Sequence, residues 1–185
     1  MDRSKEIASK ASGILAFAAP TYFAWTVFQQ AIPQNVATWG LTLLLDALGL
    51  FLAVKAGNRK PWLQLGWFLA AFCILAAVLL GNSPWHWGVV ESVSVVFCLI
   101  AIVLWLTLSP QAAIFAFITA FIIASIPLMV DYWRVPQPST TWLWVVTVFT
   151  CALSIYGAEK KDVAHTAIPA GAILQNAFFV FLCVR

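Results

Sequence analysis

Three carboxylates interrupt an otherwise apolar chain at positions where a charge is hard to hold: Asp46, Glu91 and Asp131. An ionisable side chain within a bilayer is costly, so it marks either a functional position or a group with a dedicated partner. Asp46 lies near the middle of its apolar run, where a carboxyl can relay a proton or bind a substrate hydroxyl. Glu91 and Asp131 stand nearer the ends of theirs and complete the set of candidates for proton coupling. Amides add to the polar inventory, with Gln175 and Asn176 at mid-run and Gln29 and Gln30 late in the first run. In apolar surroundings each must find a partner in another helix, in water or in a ligand.

The chain of 185 residues carries ten tryptophans, more than an interfacial belt alone requires. Trp62, Trp85, Trp87 and Trp133 fall near run ends, where indoles anchor at the headgroup level. Trp39, Trp142 and Trp144 open their runs in a polar context. Their faces can stack on a sugar or heterocycle while the ring N–H orients it. These three, with Asp46, Gln175 and Asn176, form the expected substrate-binding set. Trp25, Trp67 and Trp105 lie deeper, as packing between helices or against lipid. Pro20, Pro127 and Pro169 each remove a backbone donor within a run and offer hinge points.

Other chemistries find no residues. A retinal Schiff base needs a lysine inside a run, and there is none. There is no glycine-rich phosphate loop. His86 and His165 are isolated, and Cys73, Cys98, Cys151 and Cys183 lack metal spacing. The reading is therefore a non-enzyme without metal or cofactor. A net charge of +3 does not point to nucleic acid.

The elements that must position these groups follow from composition. With 63% hydrophobic and 9% charged residues, the chain cannot cover a water-facing surface. Its apolar residues fall into runs near the length that crosses a bilayer as a helix: Ser12–Ala31, Val36–Val54, Trp62–Gly81, Gly88–Leu108, Ala112–Val130, Thr140–Ala158 and Thr166–Arg185. They are apolar on all faces, unlike the alternating strands of a membrane barrel. Proline, glycine and charge clusters separate them. The expected fold is an all-α integral membrane protein of seven transmembrane helices, with the first retained rather than cleaved as a signal peptide.

Seven spans place Arg3, Lys5, Lys10, Lys55, Arg59, Lys60, Lys160 and Lys161 on one side, against Arg134 and Arg185 on the other. The positive-inside rule then predicts a cytoplasmic N-terminus and an external C-terminus, in a plasma (inner) membrane. Two segments about a hundred residues apart also read alike: Ile32-Pro33-Gln34-Asn35-Val36-Ala37-Thr38-Trp39 and Val135-Pro136-Gln137-Pro138-Ser139-Thr140-Thr141-Trp142. Each enters a helix, the second and the sixth. The pairing divides the chain into a three-helix repeat (1–81), a linker helix (82–111) and a second three-helix repeat (112–185). An odd linker makes the repeats parallel, as in one class of transporters.

The second half resembles the SWEET/SemiSWEET sugar transporters and the PQ-loop superfamily. The likeness rests on Ser154-Ile155-Tyr156-Gly157-Ala158-Glu159-Lys160-Lys161-Asp162, on Ile168-Pro169-Ala170-Gly171 with Leu174-Gln175, and on the placement of Pro20 and Pro127. It covers about residues 126–181. It implies the three-one-three layout and alternating-access transport of a small, mostly uncharged, hydroxyl-bearing solute such as a sugar. The family's asparagine after the helix-seven proline is Ala170 here. The cytoplasmic N-terminus resembles instead the Pnu-type vitamin transporters, so a vitamin or nucleoside substrate stays open. So do a receptor or accessory protein that binds without moving solute, and a homo-oligomer.

Overall fold

The computed structural model describes residues 2–30, 34–81, 85–107 and 110–185. Ile32 and Pro33 of the first repeat segment, the Asn82-Ser83-Pro84 break and Ser109 lie outside the described residues, as do the side chains of Gln30, Cys98, Trp105 and Pro127. Among the described residues all regular structure is helical: α1 (Arg3–Gln30), α2 (Val36–Lys55), α3 (Trp62–Leu80), α4 (Val89–Thr107), α5 (Pro110–Ala124), α6 (Ile126–Arg134), α7 (Thr141–Tyr156) and α8 (Val163–Val184), with a 3-10 turn at Pro138–Thr140.

Among the described residues six segments are long and apolar enough to cross a membrane: Arg3–Gln29, Val36–Lys55, Trp62–Leu80, Ala112–Arg134, Pro138–Tyr156 and His165–Val184. Within α4 the apolar stretch is shorter, Glu91–Leu104. The outer surface is apolar, with Ile14, Phe72, Phe115, Phe149 and Leu174 exposed, while Asp46, Gln64, Gln175 and Asn176 are buried. A soluble domain has the reverse pattern. The chain is an all-α membrane protein.

Two spans depart from the sequence reading. The first helix begins at Arg3, well before Ser12. Its extra turns pay their way through local and tertiary contacts. Glu6 and Lys10 pair at 2.8 Å one turn apart, and Ala8 is buried. The extension lies against the end of α7 so closely that a Cβ on Gly157 would come 2.6 Å from the Ser9 amide nitrogen. The fifth span is broken at Ser125 into α5 and α6. Pro127 lacks the N–H that would reach the Ile123 carbonyl. The chain tightens instead, with Ser125 donating to the Ile122 carbonyl from both its amide (3.2 Å) and its hydroxyl (2.7 Å).

Helix packing has a regular plan. α3 packs against both α1 and α2, which have no contact of comparable extent; α8 packs against both α5 and α7, which likewise have none. The two sets meet through α1 on α7 and α2 on α5, and α4 leans on α5. Small residues permit the tightest crossing. A Cβ on Gly66 would strike the Gly13 carbonyl and lie 2.8 Å from the Ala16 Cβ, so the α1 and α3 backbones touch. On α8, Gly171 faces the Ile118 side chain in the same way.

One constant interval, that from residue 39 to residue 144, relates the buried faces. Leu63, Ala70, Ala71, Ile74 and Val78 of α3 are buried, and so at this interval are Ile168, Gln175, Asn176, Phe179 and Cys183 of α8. At one end of the bundle the α1 N-terminus, the α2–α3 loop and the α7–α8 loop converge. Lys60 pairs with Glu159 at 3.2 Å, and the Ser4 hydroxyl lies 3.4 Å from the Tyr156 hydroxyl. At the opposite end Asn35 caps α2 through the Ala37 amide (3.0 Å) and reaches the Glu91 carboxylate of α4 (3.0 Å).

Candidate functional site

A cavity of about 100 Å³ lies where the two helix sets meet. From α1, α2 and α3 it takes Pro20, Trp39, Thr42, Asp46 and Trp67; from α5, α7 and α8 it takes Phe121, Trp144, Thr147, Gln175 and Asn176. A second space of about 100 Å³ adjoins it behind Trp39, Thr42, Trp144 and Gln175 and reaches the Ser125 break. Lining residues span Thr38–Asp46 of α2 and Leu143–Thr147 of α7, away from the Lys60–Glu159 end. Toward that end Ala16, Leu63, Cys151 and Ala172 form a buried apolar cluster.

Asp46 is 7% exposed, and no hydrogen bond or ion pair to it is formed among the described residues. Gln175 is buried, and its Oε1 also lacks a partner. The Asn176 amide donates to the Ala172 carbonyl one turn back, at 2.7 Å, and among the described residues its oxygen accepts no hydrogen bond. The two threonines behave alike. Thr42 donates to the Thr38 carbonyl (2.9 Å) and Thr147 to the Leu143 carbonyl (2.8 Å), so each hydroxyl keeps its lone pairs for a second partner.

The aromatic lining is held from behind. Trp144 stacks on Phe179, with centroids 4.3 Å apart and planes 15° from parallel, and meets Tyr132 edge-on at 6.0 Å. Its buried indole N–H makes no hydrogen bond of standard geometry, although the Tyr132 hydroxyl lies beside it. Trp39 leans on Phe23 and donates to Gln34 Oε1 at 3.2 Å. Trp67 stacks on Phe121 at 6.5 Å.

Of the expected substrate-binding residues, Trp39, Asp46, Trp144, Gln175 and Asn176 thus converge on one cavity. Trp142 does not join them. It is 37% exposed and packs edge-on against Tyr22 on the outer surface. Glu91 lies elsewhere, its carboxylate occupied by Asn35 and by the Gly88 amide (2.9 Å). Asp131 is exposed near the end of α6. Pro20 lines the cavity, Pro169 is buried within α8, and Pro127 opens α6.

His165 is tied to the start of α8. Its Nδ1 lies 2.6 Å from Asp162 Oδ1, which also accepts the His165 amide at 3.1 Å. These hydrogen bonds hold the Asp162 carboxyl below its ordinary range. Cys151 and Cys183 are buried and free. No group of three or more metal-ligating side chains occurs among the described residues.

Thr42, Thr147, Trp67 and Phe121 are cavity residues that the sequence reading passed over. A signal for the threonines was present. Trp39-x-x-Thr42 and Trp144-x-x-Thr147 recur at the interval that relates the buried faces, whereas the segment match paired Trp39 with Trp142. Nothing in the sequence separates Trp67 from a tryptophan facing lipid. No protein-family model matches the chain, and no curated protein or solved structure matches it either.

Proposed function

We propose that the chain is a membrane carrier of a small polar solute, working by alternating access between two three-helix repeats (1–81 and 112–185) joined by a linker helix (82–111). The observation that carries this reading is the cavity at the seam of the helix sets. It holds a carboxyl and an amide oxygen that have no partner among the described residues. Apolar cores do not keep such groups without use, because each costs free energy unless something binds it. The packing plan supports the layout, since swapping the sets maps α1 on α7 to α5 on α2. A binding site at the seam of parallel repeats near mid-membrane is what that architecture requires.

In this reading Asp46, Gln175 and Asn176 hold the solute's polar groups, and Trp39 and Trp144 form its ring-stacking walls. The Lys60–Glu159 pair and the glycine crossings of α1 close the Lys-rich, cytoplasmic end, and Pro20, Pro127 and Pro169 relax the helices as that end opens. Asp46 is the group that would couple flux to protons. The resemblance to SWEET and PQ-loop carriers agrees with a hydroxyl-bearing solute such as a sugar. Four aromatic rings on the cavity wall favour a flat heterocycle, as in a Pnu-type carrier of vitamins or nucleosides, as the second reading.

The test is uptake into proteoliposomes of radiolabelled sugars, nucleosides and vitamins, with and without a proton gradient. Saturable uptake of one class supports the carrier. Saturable binding without flux would make the protein a receptor instead.

A further inference from the structure

The polar atoms that face the cavity are unequal in kind. Several of its donors are committed elsewhere: the Thr42 and Thr147 hydroxyls to their own helices, the Trp39 N–H to Gln34, and the Asn176 amide to Ala172. Among the described residues the Gln175 side-chain N–H groups and the Trp144 indole N–H make no hydrogen bond of standard geometry, and they stand beside a larger set of acceptors. The Asp46 carboxyl, Gln175 Oε1, the Asn176 oxygen and two threonine oxygens all present lone pairs. Among the described residues Asp46 is the one ionisable residue lining either space, and no Lys, Arg or His there pairs with it. Around these acceptors stand Trp39, Trp67, Phe121 and Trp144, whose ring faces attract a positive charge. An uncharged polyol would leave the Asp46 carboxylate without a counter-charge and the aromatic faces without a cation. A protonated amine brings donors and charge together.

We infer that the cavity selects a small organic cation, an amine with N–H donors and an apolar or ring body, held by Asp46 and the acceptor oxygens within an aromatic wall. The inference rests on the carrier reading and narrows its substrate from polar to cationic. Anions are excluded by Asp46 in a site without a counter-charge. The small volume confines the ligand to one ring or a short chain.

Three probes of one shape and three charges test it: benzylammonium, benzyl alcohol and benzoate. Each is titrated into the purified protein at neutral pH, with calorimetry and tryptophan fluorescence as readouts. Benzylammonium is expected to bind saturably, benzyl alcohol at least about tenfold more weakly, and benzoate not at all. In Asp46→Asn, benzylammonium should lose its preference over the alcohol. Equal binding of the amine and the alcohol to the wild-type protein overturns the inference without recourse to any variant, as does absence of amine binding or a preference that survives Asp46→Asn. If a neutral solute is carried saturably while the amine does not bind, the cationic assignment fails and the carrier stands. If no solute of any charge is carried, the carrier reading fails as well.

Discussion

The crossing of α1 and α3 sets up a comparison of three glycines in which the environment decides the sign. At Gly66 an added Cβ meets the Gly13 carbonyl and comes 2.8 Å from the Ala16 Cβ. Both obstacles belong to backbone or to a side chain with no rotamer to change. The helices must separate by about half an ångström or more, and overpacking of that kind costs about 1–3 kcal/mol. At Gly171 the nearest atom is Ile118 Cγ2, 2.7 Å away, a branch methyl held stiffly at χ1 in a helix but belonging to a side chain rather than to the backbone. Removing a helical glycine returns about 0.5–1 kcal/mol, so Gly171→Ala should destabilise less than Gly66→Ala. Gly40 has nothing within 4 Å, and Gly40→Ala should stabilise by up to about 1 kcal/mol. Equilibrium unfolding in one detergent, followed by tryptophan fluorescence, gives the order Gly40→Ala, then Gly171→Ala, then Gly66→Ala. A Gly66→Ala protein as stable as the wild type, or less destabilised than Gly171→Ala, would refute the close crossing.

Other consequences are local. Glu91→Ala removes the acceptor for Asn35 and Gly88 and should cost about 1–3 kcal/mol in the same unfolding assay, with the solute preference unchanged. Lys60 and Glu159 are each about one-third or more exposed, so Lys60→Glu should cost no more than about 1 kcal/mol, and the charge-swapped double variant with Glu159→Lys should recover it. Asp162 is held below the ordinary carboxylate value of 3.8 by its hydrogen bonds to His165. A depressed carboxyl adds stability that is complete above that value and disappears as pH falls through the folded-state one. Acid unfolding below about pH 4 should therefore be less steep in Asp162→Asn than in the wild type.

Helix content and the positions of most helices were legible, because apolar runs of bilayer length bounded by proline and charge admit few other structures. What escaped was the part that depends on tertiary contact. The α1 extension before Ser12 reads as a polar tail, and its contacts with the end of α7 at Tyr156 and Gly157 make it a packed helix. The break at Ser125 depends on where the Pro127 defect is absorbed, which in a long apolar run is decided by neighbouring helices. Asp46, Gln175, Asn176, Trp39 and Trp144 were legible as cavity residues because polar or amphipathic groups in a membrane span need a partner. Trp142 was read with them because the segment match pairs it with Trp39, but it lies outside the cavity. Two positions on a helix turn a side chain through more than half a circle, enough to carry it from the seam to the outer face. Glu91 read as a candidate because its partner, Asn35, is remote in sequence.

That difference between two neighbouring tryptophans gives the most direct test of the cavity as a solute path. Saturable uptake into proteoliposomes should be compared for the wild type, Trp144→Ala and Trp142→Ala, at equal amounts of folded, inserted protein. The cavity account predicts that Trp144→Ala abolishes uptake or raises its KM at least about tenfold, since one aromatic wall is lost, while Trp142→Ala transports as the wild type does. Loss of uptake in Trp142→Ala with Trp144→Ala unaffected would contradict it and move the path to the outer face of α7.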